Sequence, residues 1–229
     1  MIMRHILNFK LFEKKEQEKT KALKMIEDFK KEFGTELDES FTVSQIELLK
    51  KSFRHFDKKF LKNKVHKIIL EDIEVHGKWE DTAKKKYMTL STRIFDFKKE
   101  FENGIDDIPY KEFIIVHEMG HCIDHIEKVS FSKKWQSISG WKKCDIDGAV
   151  PEGYDRFIRK KRKNSPDPKR SGWIYKEGSK FCRRYSSRNP REDFADSFAF
   201  AVFKCYSKFE GEQGKEKLDI VKKVLDQIS

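Results

Sequence analysis

The sequence predicts an α+β fold on three observations. Apolar residues recur at helical spacing near both ends of the chain, and two β-branched, partly alternating stretches lie in its first half. A central helix carries three of the seven histidines. At 229 residues there is room for one domain, or for a domain with an appended arm. Hydrophobic residues make up 37% and charged ones 39%, so a modest core under a charged surface is expected, with twenty phenylalanines supplying much of it.

From Phe9 to Phe33, apolar residues at 22, 25, 26, 29 and 33 trace one helical face, and Gly34 is the expected stop. "SQIE" (Ser44 to Glu47) reads as a capping box. The helix it opens uses Leu49, Phe53, Phe56 and Phe60 and ends at Asn63. "VHKIILEDIEV" (65–75) and "KYMTLSTRIF" (86–95) read as two strands of one small sheet joined by "HGKWEDTA". Asp107 and Pro109 open a helix that runs to about Val129. Residues 130–188 are rich in glycine and proline, but Trp135, Trp141 and Trp173 imply that this stretch packs down. A connection so long is expected to be functional or to hold short elements of its own. "NPRED" starts the next helix, with Phe194, Phe198, Ala201, Val202 and Cys205. A last amphipathic helix uses Leu218, Val221, Val224, Leu225 and Ile228. The expected division is a helical region at 1–62 and a second domain at 63–229.

Composition narrows the function classes. Four cysteines show no C-x-x-C pair, which argues against a cysteine zinc cluster, and their wide spacing does not suggest a disulfide scaffold. The opening residues lack the continuous apolar run of a signal peptide, and no later stretch could span a membrane. An intracellular, non-membrane protein is the default expectation, with release or association with phage particles as the other route. The net charge of +11 is spread along the chain. It fits a solvated basic surface first and acidic partners second.

Chemistry concentrates in "IIVHEMGHCIDH" (114–125), where His117, Glu118 and His121 form H-E-x-x-H. On a helix, positions four apart are about 6 Å apart along the axis and nearly in line, so both imidazoles can converge on one zinc ion. Glu118 lies about 100° round the helix, beside the ligands, where a carboxylate can serve a water on the ion. Gly120 costs about 1 kcal/mol of helix propensity relative to alanine. It makes sense if another backbone or a substrate comes close. His125 is too far along the axis from His117 to share one small ion, and is read as a neighbouring or surface histidine. The metzincin pattern also fails, because Asp124 and Glu127 stand where it needs glycine and histidine.

The third ligand must come from elsewhere, and "NPREDFADSF" offers it. Glu192 can bind the ion while Asp196, four residues on, holds a ligand histidine by its far nitrogen. Asp193 is the weaker alternative. The competing reading of Glu192 is a capping role with Asn189.

With these residues assembled, the chain resembles the lethal-factor-like gluzincins, the anthrax lethal factor and Pro-Pro endopeptidase type. Those proteins have H-E-x-G-H followed by a short (A/V)-(I/V)-D segment. Later comes a tyrosine seven residues before the glutamate ligand, in a helix like E-F-F-A-E-A-F. Here "HEMGHCIDH" and "YSSRNPREDFADSFAF" match, with Tyr185 seven before Glu192; the matching blocks cover about thirty residues. "YSSRNPREDFADSFA" also resembles, less closely, zinc-peptidase segments associated with phage head proteins. The resemblance implies a zincin-like metallopeptidase with a small sheet, an active-site helix and a C-terminal helical part. It implies zinc on His117, His121 and Glu192, Glu118 as general base, Tyr185 as oxyanion donor, and a protein or peptide substrate. Asp193 departs from the pattern by replacing an aromatic residue, and Asp196 by replacing a glutamate.

"RFIRKKRKNSPDPKR" (156–170) is the densest basic stretch. It reads first as a solvated loop and second as a surface for an acidic protein or nucleic acid, although no nucleic-acid motif accompanies it. Two other classes are compatible with the sequence. One is a zinc domain that binds a partner without hydrolysis, and the other a basic phage-structural or nucleic-acid-binding protein.

Overall fold

Phe29, Phe33 and Phe53 form the aromatic centre of the N-terminal half, their rings 4.7–5.7 Å apart. The first two lie on α1 (Ile2–Phe33) and the third ends α2 (Val43–Phe53), so this cluster is where the two helices pack. The computed structural model describes residues 2–74, 77–82, 85–96, 108–158 and 170–228. Gly34 stops α1 at φ +70, and a Cβ there would lie 2.8 Å from Lys62 Cβ. The left-handed turn and the crowding both require glycine.

The capping box of α2 is formed by Thr42 and Gln45, not by Ser44 and Glu47. The Thr42 hydroxyl accepts the Gln45 N–H while the Gln45 side chain accepts the Thr42 N–H, which fixes the helix start two residues earlier. The helix expected to run to Asn63 is broken at residues 54–57 into α2 and α3 (Lys58–Lys64).

A four-stranded sheet follows, ordered β1-β2-β4-β3. Its strands are β1 (Glu36–Leu37), β2 (Lys67–Glu71), β3 (Gly77–Thr82) and β4 (Lys85–Ser91). The two expected strands are β2 and β4, paired in parallel with Ile68 opposite Met88 and Leu70 opposite Leu90. Sequence reasoning missed two members. The stretch expected to connect them is itself strand β3, antiparallel to β4, and β1 is two residues long. The end of the second expected strand is instead a helical turn, α4 (Thr92–Asp96).

The central helix is α5 (Tyr110–Glu127); Asp107, expected at its start, lies outside the described residues. The chain divides into two units, residues up to Ile115 and Val116–Ile228, so the whole histidine motif belongs to the second. The stretch 130–188 has elements of its own. These are α6 (Lys133–Ser139) and a three-stranded sheet ordered β5-β7-β6, from β5 (Lys142–Lys143), β6 (Tyr154–Ile158) and β7 (Arg170–Lys176). The basic segment 156–170 lies outside the described residues except for Arg156–Ile158 and Arg170. Then come α7 (Pro190–Val202) and α8 (Gly211–Ile228). Trp135, Phe194, Phe198 and Phe200 are fully buried at the centre of this unit, and α8 adds Leu218, Val221, Val224 and Ile228. Both units mix helices with small sheets, so the fold is α+β. Among the described residues, no helix is long and apolar enough to cross a membrane.

Candidate metal centre

Two helices build the site. On α5, His117 and His121 stack one turn apart, their rings 4.7 Å between centroids and nearly perpendicular. On α7, Asn189 caps the first turn: its side-chain oxygen accepts the N–H groups of Arg191 and Glu192, each at 3.0 Å. Pro190 takes the first helical position. This cap uses the Asn189 side chain and the Glu192 backbone, which leaves the Glu192 carboxylate free to point away. The capping reading and the ligand reading of Glu192 are therefore compatible.

That carboxylate turns to the histidines. Glu192 Oε2 lies 3.3 Å from His117 Nε2 and 3.2 Å from His121 Nε2. The three groups offer ligand atoms within 4.8 Å of one another and could hold a metal ion. Ligands about 2.0–2.1 Å from a tetrahedral ion are themselves roughly 3.3–3.4 Å apart, so the carboxylate–imidazole spacings already have the right size. Glu192 Oε2 is buried and accepts no hydrogen bond of good geometry. A buried carboxylate oxygen facing two imidazole nitrogens, unsatisfied by either, is what an ion would complete. His125 is not a member of this group.

Behind His117, Asp196 Oδ1 lies 2.8 Å from Nδ1. Asp196 is fully buried. The spacing that put Glu192 and Asp196 on one face of α7 thus brings one carboxylate to each nitrogen of the His117 ring. Without an ion the charges balance locally. Burial opposes a charged His117 ring, but the Asp196 and Glu192 carboxylates outweigh it and raise the imidazolium to about 10. Burial would likewise raise Glu192, yet the two imidazoles hold its carboxyl well below the usual range. Glu118 is buried beside them and has the opposite balance: desolvation lifts its carboxyl above the ordinary value against the pull of His121 and His117.

Tyr185 reaches the same group from a 3-10 turn (Arg184–Arg188), its hydroxyl 3.4 Å from Glu192 Oε1. Arg188 Nη1 donates to the phenol oxygen at 2.6 Å. Asp193 goes elsewhere. Its carboxylate accepts from Lys217 Nζ at 2.9 Å and from the Trp141 indole at 3.2 Å, so it is committed to α8 and to the loop before β5. Asp124, fully buried near the end of α5, accepts the Ser130 N–H and hydroxyl at 2.7 and 2.6 Å and ties down the turn after the helix. Sequence reasoning missed Arg188 and Lys217, and with them Arg183 and Ser186, whose side chains bond the Asp196 carboxylate. Four arginines in nine residues (183, 184, 188, 191) were the available signal, but nothing in their spacing singles out a partner.

Gly120 has a specific reason. A Cβ there would lie 3.0 Å from Ala195 Cα and 3.2 Å from its carbonyl oxygen, so the neighbour it accommodates is the α7 backbone. Gly120→Ala would gain about 1 kcal/mol of helix propensity but overpack a contact where such strain costs about 1–3 kcal/mol. A small net loss of stability is expected. Because the same displacement shifts Glu192 against the histidines, a severalfold loss of metal affinity should accompany it, read by chelator competition.

No family model and no curated protein matches the chain. Among solved structures, a protein of Bacteroides caccae described as a "putative zinc-binding metallo-peptidase" is similar at a TM-score of 0.45 and 14% identity, over 93% of this chain and 85% of that one.

Proposed function

We propose that the chain is a zinc-dependent metalloendopeptidase of zincin-like fold, with His117, His121 and Glu192 as zinc ligands, Glu118 as general base and Tyr185 as oxyanion donor. The observation that carries the reading is the convergence of two imidazole nitrogens and a buried, unsatisfied carboxylate oxygen on one point, with a second glutamate adjacent in sequence to a ligand. Two nitrogens and one oxygen leave a tetrahedral ion one open position, the donor set of catalytic rather than structural zinc sites. When bound, zinc supplies a Lewis acid that polarises a carbonyl and acidifies water.

The protein's own groups have matching roles. A carboxylate that must take a proton and then return it works best with a pKa raised towards the working pH, and burial moves Glu118 in that direction. Tyr185 must remain protonated to donate, and burial pushes its phenol up to about 12. Because Arg188 already donates to the phenol oxygen, the Tyr185 proton is free to serve as a donor. Its present acceptor, Glu192 Oε1 at 3.4 Å, makes a long bond that costs little to give up. Asp196 keeps the His117 ring from rotating, as carboxylates behind zinc-binding histidines do. The substrate is a protein or peptide, and the basic residues of 156–170 favour acidic sequences. The assignment of 63–229 to a catalytic domain, with 1–62 as an N-terminal helical region, belongs to the same reading.

The test begins with metal content. The purified chain should carry one zinc, lost on chelation. His117→Ala, His121→Ala and Glu192→Gln should each bind it at least tenfold more weakly, since two remaining protein ligands hold zinc poorly. Glu192→Gln retains the Asn189 cap, so its loss of zinc would separate ligand from cap. Full zinc occupancy in a His117→Ala/His121→Ala chain would sink the assignment. Zinc bound by the wild type without cleavage of any member of a broad peptide library would instead place the chain among non-hydrolytic zinc domains.

A further inference from the structure

Asp196 is a fully buried carboxylate, and the ring of His117 takes up only one of its approaches. The others are taken by Arg183, thirteen positions earlier, and by Ser186. Arg183 Nε donates to Asp196 Oδ2 at 2.8 Å, and its Nη2 makes an ion-pair contact with Oδ1 at 2.6 Å, so the guanidinium faces both oxygens. The Ser186 hydroxyl donates to Oδ2 at 2.7 Å, and the Arg183 N–H donates to that hydroxyl at 3.3 Å. The guanidinium carbon also sits 5.1 Å from the centre of the Tyr185 ring. One cation therefore bears on both the carboxylate behind His117 and the tyrosine beside Glu192.

A carboxylate held at a single oxygen can swing about its Cβ–Cγ bond. Held at both by a planar fork, it cannot, and bidentate Arg–carboxylate pairs are among the stronger and more directional contacts in proteins. We propose that Arg183 is a positioning residue of the metal centre: its fork locks Asp196 against His117 Nδ1 and so aims Nε2 at the point shared with His121 and Glu192, while its flat face supports the Tyr185 ring. This rests on the metal reading of the three ligands. In this proposal Arg183 acts through Asp196, whose carboxylate it holds.

The experiment compares zinc affinity by chelator competition in the wild type, Arg183→Met, Arg183→Lys, Asp196→Asn and the Arg183→Met/Asp196→Asn pair, with circular dichroism to establish folding. Arg184→Met is the control; Arg184 lies over the Phe157 ring and donates to Ile158 O, away from Asp196. Removing the partner of a ligand histidine typically weakens metal binding about 10–100-fold. Arg183→Met should fall in that range, Arg183→Lys should lose about tenfold because an ammonium cannot bridge both oxygens, and Arg184→Met should be unchanged. The paired variant should be little worse than Asp196→Asn alone, because both substitutions break one chain of contacts. Wild-type affinity in a folded Arg183→Lys or Arg183→Met overturns the proposal, as does full additivity in the pair. If Arg183→Met does not fold, the lysine variant decides. A wild-type chain that binds no zinc overturns the metal reading itself, which distinguishes that failure from one confined to Arg183.

Discussion

Glu118→Gln is expected to retain its zinc and its fold while peptide cleavage falls by about 10²–10⁴-fold, the usual contribution of a positioned general base. The substitution conserves shape, which matters because Glu118 is buried, and it removes only the capacity to accept a proton. The proposed ligands are its neighbours in the motif and not Glu118 itself, so metal content should not change. The measurements are zinc stoichiometry and initial rates on the same preparation. A zinc-loaded Glu118→Gln chain that cleaves within a factor of ten of the wild type would remove Glu118 from the mechanism and leave the metal centre standing.

Lys217→Met should give the largest loss of stability. Lys217 is 2% exposed and Asp193 is wholly buried; the ammonium bonds Asp193 Oδ1 and the Lys180 carbonyl, each at 2.9 Å, and faces the Phe181 ring at 4.5 Å. Removing one partner of such a pair strands the other charge away from water, a cost of about 3–5 kcal/mol. In a chain of this length that corresponds to a fall of roughly 6–20 °C in Tm. Replacing both charges, as Lys217→Met with Asp193→Leu, should recover much of the loss, since apolar pairs of similar volume are often as stable as the buried ions they replace. A melting temperature within two degrees of wild type for Lys217→Met alone would show that the pair is not what anchors α7 to α8. Asp193 follows Glu192 directly, so zinc affinity should fall in the single variant as well.

The parts of this molecule that were legible in its sequence are those governed by short-range geometry. His117 and His121 could be paired from a spacing of four, and Asn189-Pro190 announced the start of α7 because a cap and a proline act within one turn. Glu192 and Asp196 fell on one face for the same reason. The pairings of Arg183, Lys217 and Trp141 were not legible. Their partners lie 13, 24 and 52 positions away, and no periodicity connects an arginine in an irregular stretch to a carboxylate on a later helix. The sheet shows the same division. β2 and β4 carry β-branched runs, whereas β3 reads as "GKWEDT" and owes its strand state to the backbone of β4 beside it. The helix expected through Asn63 is broken at residues 54–57, yet Phe53, Phe56 and Leu61 are all buried, because residues on either side of a tight turn can still face the same core.

The proposed ligand atoms come from two helices, and two of the contributing residues, His121 and Glu192, are seventy-one positions apart. An ion gripped by both would close that span as a covalent bridge does, though reversibly and only in the folded state. Closing such a span costs conformational entropy that the folded chain has already met and the unfolded chain has not, so the unfolded chain has little means of assembling this donor set. Metal binding and folding then share a single free energy. With free zinc a hundredfold above its dissociation constant, the native state gains about 2.7 kcal/mol by mass action alone. Melting curves recorded in chelator and in zinc would describe two different equilibria, and a substitution that unfolds the apo chain can leave the zinc-replete one native.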